Sequence, residues 1–188
     1  MALTASCSIC NGAVDSWRHS LLDCSFTAVE GWKASNLSVA KMNSDGAVAK
    51  SASKGAAGVV CRNEHGQFLG ATAVVRQVDP PTLEAIACRE ALSLAADLNI
   101  QRIKVASDCQ AVMNNINDGL QKGAYGMIIA DISDLQKNFQ ACSFSFERRE
   151  ANGDAHRLEK MAISLDAGRF VWLSTPPENI CIPLNFIS

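Results

Sequence analysis

The chain has 188 residues, a hydrophobic share of 48%, a charged share of 19% and a formal net charge of −2. That length holds one domain with a full core plus a small appendage, and the balanced charge excludes a broadly basic nucleic-acid binder, so any nucleic-acid affinity must be local or carried by metal ions. No apolar run reaches the roughly eighteen residues of a membrane span, and Met1 to Ser6 lacks the charged and apolar regions of a signal peptide, so the protein is expected to be soluble and intracellular with no membrane partner.

Eight cysteines without a secretory signal point to metal binding or burial rather than to disulfides. Cys61, Cys88, Cys109, Cys142 and Cys181 stand singly among apolar or helical neighbours and are expected to behave as small core hydrophobes. The other group is compact. Cys7 and Cys10 are separated by two residues, His19 follows after eight more and Cys24 after a further four. Three thiolates and an imidazole at such spacing suit a tetrahedral Zn²⁺, whose role would be structural because four protein ligands leave no open position. Residues 1–32 are therefore expected to form a truncated zinc-binding segment folded by its metal, against the plainer reading of incidental cysteines and a surface histidine. Residues 33–39, polar and small, make a linker.

The main domain is expected over residues 40–168. Lys41 to Val48 has the pattern of a short strand with one acid, Asp45, set between Asn43-Ser44 and Gly46-Ala47. A lone carboxylate on a half-buried strand needs a partner or a metal; a surface acid on an edge strand is the alternative. Ala56 to Arg62 makes a second strand, Asn63-Glu64-His65-Gly66 a hairpin turn, and Gln67 to Val75 a third strand. Pro80-Pro81-Thr82 opens a helix with Thr82 as N-cap, and Ile86, Leu92, Leu94, Ala95 and Leu98 form its apolar face as far as Asn99. Gln101 to Ser107 alternates as a fourth strand, Asp108 stands at its carboxyl end, and a helix through Val112, Met113 and Ile116 follows. Beyond the loop Asp118 to Gly123 come a helix from about Tyr125 to Asn138, a strand from Ala141 to Arg149 and a last helix from about Asp154 to Ala167; residues 169–188 form a tail. The order βββαβααβα predicts an α/β fold with a mixed five-stranded sheet and helices on both faces. Asp45 and Asp108 become neighbours if the first and fourth strands pair in parallel, and Glu84 in the first helix could reach the same place. Read structurally, Glu84 would be a first-turn acid and Asp108 an N-cap.

Four segments in order carry a resemblance: Asn43-Ser-Asp45-Gly, Leu83-Glu84-Ala-Ile-Ala, Ala106-Ser-Asp108-Cys-Gln110 and Arg149-Glu-Ala-Asn152-Gly-Asp-Ala-His156-Arg-Leu. Together they resemble the ribonuclease H type 1 domain, in the plant branch associated with non-LTR retrotransposon reverse transcriptases. The likeness runs over about Lys41 to Ala167, and both the tail around Trp172 and Pro176-Pro177 and the N-terminal cysteine–histidine cluster are similar to regions of those elements. It implies that Asp45, Glu84 and Asp108 are ligands of two Mg²⁺ or Mn²⁺ ions, with His156 where many relatives have a fourth acid. Hard cations take oxygen ligands, and three crowded carboxylates repel one another unless cations are present. Gln110 and Asn152 match positions near the RNA strand, where their amides suit 2′-hydroxyls; capping of helices is the equal alternative for both. The implied activity is endonucleolytic hydrolysis of the RNA strand of an RNA/DNA hybrid by two metal ions, leaving a 5′ phosphate and a 3′ hydroxyl.

The departures matter as well. His156 adds no negative charge and is a poorer Mg²⁺ ligand than a carboxylate; it would then shuttle a proton, or be a surface histidine. The basic handle of the family is absent, since Asp118 to Gly126 carries only Lys122, although Arg148, Arg149, Arg157, Lys160 and Arg169 form a loose basic group suited to phosphates. A second expectation therefore stands beside the first: a catalytically weak or inactive nucleic-acid-binding or interaction module kept from a degenerate retroelement. A related 3′ to 5′ exonuclease is disfavoured because Asp45 is followed by Gly46 and Ala47 rather than by a paired acid. The resemblance to a retroelement implies residence in the nucleus or cytoplasm.

Overall fold

Alternating small and β-branched residues set up the first three elements, and a Pro-Pro pair sets up the fourth. The computed structural model describes residues 38–49, 54–121, 123–178 and 180. In chain order it contains β1 (Ala40–Val48), β2 (Gly55–Arg62), β3 (Phe68–Arg76), α1 (Pro80–Asp97), β4 (Arg102–Ser107), α2 (Gln110–Asn117), α3 (Gly126–Gln136), β5 (Ala141–Phe146), a 3₁₀ turn (Arg149–Asn152), α4 (Gly153–Ala162) and β6 (Gly168–Leu173). The expected zinc ligands Cys7, Cys10, His19 and Cys24, and also Cys181, lie outside the described residues. No helix among the described residues is long and apolar enough to cross a membrane.

The sheet runs β5-β4-β1-β2-β3-β6. β1, β2 and β3 pair antiparallel, as short connections require, while β1–β4 and β4–β5 are parallel across helical crossovers. The expected five strands are corrected to six. Gly168-Arg-Phe-Val-Trp-Leu, assigned above to the tail from Arg169 on, adds antiparallel to β3 from Val75↔Gly168 to Gly70↔Leu173. Its alternation explains this: Phe170 and Trp172 pack inward, stacked at 6.3 Å, while Arg169, Val171 and Leu173 face outward. Thr72 Oγ1 also donates to the Phe170 carbonyl at 3.0 Å.

Boundaries elsewhere shift for local reasons. Asp79, not Thr82, caps α1: its Oδ1 accepts from the Thr82 amide at 3.1 Å and its Oδ2 from the Thr82 hydroxyl at 2.7 Å. In the β2–β3 hairpin Asn63 Oδ1 accepts from the amides of His65 and Gln67, and Gly66 takes the left-handed conformation at φ 75°. β5 ends at Phe146, and α4 begins with the 3₁₀ turn and stops at Ala162, five residues before the expected Ala167.

Two cores flank the sheet. On one face Met42, Val59, Cys61, Ile103 and Val105 pack against Ala85, Cys88, Leu92 and Ala95 of α1 and against Met113, Ile129 and Ile132 of α2 and α3. On the other, Ala56, Val60, Ala71, Ala73 and Val75 receive Leu158 and Ala162 of α4. Cys61 and Cys88 are buried as expected of core hydrophobes, whereas Cys109 and Cys142 are half-buried at the margin of the first core.

Two glycines set how closely the helices approach. A Cβ on Gly46 would lie 2.7 Å from the Glu84 amide nitrogen, and one on Gly58 would lie 3.0 Å from the Ala155 carbonyl oxygen and the Glu159 amide nitrogen. α1 and α4 therefore rest directly on sheet backbone, from opposite faces, at the same latitude of β1 and β2, since Asp45 pairs with Gly58 and Gly46 with Ala57.

Candidate active site

The site begins where β1 and β4 part. Their parallel register ends at Ser44↔Ser107, and the next residue on each strand is an acid, Asp45 and Asp108. Ser44 Oγ donates to the Ala106 carbonyl at 3.2 Å and closes the pair just before the fork. Gly46 admits the first turns of α1, so that Glu84 arrives from the opposite layer. Carboxylate oxygens of Asp45, Glu84 and Asp108 all lie within 4.8 Å of one another.

Each acid is held. Gly46 donates its amide to Asp45 Oδ1 at 2.9 Å, and Ser107 Oγ donates to Glu84 Oε2 at 3.3 Å. Ser107 in turn accepts from the Cys109 amide at 3.0 Å, which fixes the turn carrying Asp108. The environment opposes charge: burial, then the charges of Asp45 and Asp108, push the Glu84 carboxyl up to about 8. Burial and then the Asp108 charge raise Asp45 as well, against the lowering effect of its bond to His156.

α4 supplies the other side of Asp45. His156 Nδ1 lies 2.9 Å from Asp45 Oδ2, and its Nε2 lies 2.9 Å from Arg149 Nη2. Arg149 Nη2 also lies 3.1 Å from Nδ1, so the guanidinium, which can only donate, faces both ring nitrogens. Glu159, one turn along α4, places Oε1 3.0 Å from His156 Nδ1 and is 0% exposed. Ligand atoms of Asp45, His156 and Glu159 form a second group within 4.8 Å, with Asp45 common to both.

A family model described as reverse transcriptase-like matches residues 43–162. The chain belongs to this reverse transcriptase-like family. A comparison with curated proteins finds no significant match. Solved structures share the fold of this reverse transcriptase-like domain. RNase H1 from the halophilic archaeon Halobacterium salinarum superposes with a TM-score of 0.59 at 21% identity, covering 66% of this chain and 96% of its own. The N-terminal RNase H domain of rv2228c from Mycobacterium tuberculosis gives 0.61 at 15% identity, over 67% and 94%. LC11-RNase H1, solved in complex with an RNA/DNA hybrid, gives 0.59 at 19% identity, over 66% and 96%.

Within the reverse transcriptase-like domain, Asp45, Glu84, Asp108 and His156 are thus brought together. Gln110 stands exposed at the start of α2, its Nε2 bonded to Asn114 Oδ1 at 2.8 Å. Asn152 differs from Gln110 in that its side chain is fully buried against the sheet. Nδ2 donates to the Ser44 carbonyl at 2.8 Å and Oδ1 accepts from Asn43 Nδ2 at 3.1 Å, so the side chain straps the start of α4 onto β1 beside Asp45. The basic group is also partly spent. Arg157 pairs with Asp154, and Arg169 with Glu90 and Asp97, both at 2.7 Å. Glu159 carried no expectation from the sequence; its signal was the i,i+3 spacing from His156, which puts both side chains on one helix face.

Proposed function

We propose that this reverse transcriptase-like domain is a divalent-metal-dependent endonuclease that hydrolyses the RNA strand of RNA/DNA hybrids. The observation that carries the reading is the convergence of Asp45, Glu84 and Asp108 within 4.8 Å from two strands and a helix of the opposite layer. The donor set fits a hard divalent cation: all three offer carboxylate oxygens, and Glu84 is so destabilised as an anion that a cation is the natural complement. LC11-RNase H1, of like fold, was solved on the hybrid this reading requires.

Asp45, Glu84 and Asp108 would hold the ions, Mg²⁺ or Mn²⁺, with His156 beside the shared Asp45. Two such ions supply Lewis acidity at the attacking and departing oxygens of a phosphodiester. The Gly46 amide orients Asp45 through Oδ1, and in the metal-free protein His156 contacts its Oδ2. Ser107 orients Glu84, whose proton must leave before a cation binds. Gln110, exposed at the rim, offers its amide to a 2′-hydroxyl. The quoted motifs further support an origin in plant non-LTR retroelements, with Cys7, Cys10, His19 and Cys24 as a structural Zn²⁺ site.

The test is hydrolysis of a labelled RNA/DNA hybrid with Mg²⁺ or Mn²⁺. The native chain should release fragments with 5′ phosphates, and Asp45→Asn should lower the rate about a hundredfold or more. Equal inertness of both chains, with hybrid binding retained, would instead establish the interaction-module reading.

A further inference from the structure

Glu159 is an acid of the site that is fully buried, at 0% exposure, without a hydrogen bond to either carboxylate oxygen among the described residues. His156 Nδ1 lies 3.0 Å from its Oε1, but Asp45 Oδ2 at 2.9 Å and Arg149 Nη2 at 3.1 Å crowd the same nitrogen. A buried carboxylate without a donor is costly, and removing the charge or adding a cation are the ways to offset it. Asp45 Oδ, His156 Nδ1 and the Glu159 carboxylate converge within 4.8 Å of one another, and Asp45 is common to this group and to that of Glu84 and Asp108.

We propose that Glu159 is a direct ligand of the second divalent cation, completing an Asp45–His156–Glu159 site that prefers Mn²⁺ over Mg²⁺. This rests on the metal-dependent reading above and assigns a residue to it. The carboxylate that His156 lacks is supplied three positions later, from the same helix face. Gly58 makes this geometrically possible, since a Cβ there would push against the Glu159 amide and lift α4 from Asp45. An imidazole nitrogen with two carboxylates suits a borderline transition ion better than Mg²⁺, which is matched by the all-oxygen group of Asp45, Glu84 and Asp108. Binding at Nδ1 replaces its present contacts with Asp45 Oδ2 and Arg149 Nη2.

The ions are counted by electron paramagnetic resonance of Mn²⁺ on the full chain without nucleic acid, with Asp45→Asn subtracting any ions held elsewhere. Wild type should exceed that blank by two ions, and Glu159→Gln and Glu84→Gln by one each, with at least about a tenfold loss of affinity at the missing position. Nitrogen hyperfine coupling to bound Mn²⁺ should appear in wild type and Glu84→Gln and vanish in Glu159→Gln. Retention of both ions and of the coupling in Glu159→Gln overturns the proposal. So does loss of both ions in Glu159→Gln and in the apolar Glu159→Met, which would make Glu159 a structural residue. Hybrid cleavage measured on the same samples separates the two readings: two ions on an inert chain remove only the nuclease, and cleavage with an ion count indifferent to Glu159 removes only this site.

Discussion

Single residues at this site do opposite jobs, and substitutions should separate them. Gly46 has no side chain because α1 occupies the space: a Cβ would sit 2.7 Å from the Leu83 carbonyl carbon and the Glu84 amide. Gly46→Ala is expected to lower stability by about 1–3 kcal/mol in denaturant titrations and to abolish hybrid cleavage by displacing Glu84. Asn152→Ala breaks the strap to Ser44 and leaves Asn43 Nδ2 only the Ala151 carbonyl as acceptor, an expected loss of about 1–3 kcal/mol in the same measurement. The convergence of Asp45, Glu84 and Asp108 was legible from the parallel pairing expected of the first and fourth strands and from Glu84 standing among core-like neighbours, where a charge needs a reason. Asn152 was legible as a position but not as a role. An amide that reads RNA and an amide that ties a helix to a strand look the same in a sequence, and only burial distinguishes them.

Elements were read well where periodicity was strong, and poorly where it was short. The three N-terminal strands and α1 follow from alternation and from the Pro-Pro start, and their antiparallel and parallel pairings follow from connection length. β6 was missed because a six-residue alternation beyond the last helix reads as a tail until β3 is seen to have an open edge. β6 is tied by more than its ladder. Arg169 donates to Glu90, a side chain only 5% exposed on α1, and to Asp97. Arg169→Ala should therefore destabilise the fold by about 1–2 kcal/mol, since Glu90 keeps a second partner in Arg89, and should raise amide exchange first in β6 and the β3 edge.

For the molecule as a whole, the buried acids of the site are a source of instability. Burial pushes Glu84 up to about 8 and Glu159 up to about 7, so both bind a proton more tightly folded than unfolded, where their value is the ordinary 4.5. Their contribution is fully present below that ordinary value and is lost as pH rises through about 7 and 8. The metal-free protein should accordingly show a melting temperature that falls between about pH 5 and about pH 9, and Mn²⁺ should flatten the slope because it replaces the protons. Calorimetry across that range checks the sign. The layered arrangement of the acids also has a kinetic meaning. Asp45 and His156 are 111 residues apart in the chain, and α4 is the last helix to be made, whereas β1, α1 and β4 close a shorter loop around Glu84 and Asp108. During refolding, cation affinity should therefore be acquired in two stages, the oxygen-only group first and the histidine side only when the final helix lands on Gly58. A metal-sensitive signal would thus serve as a clock for the closing of the second layer.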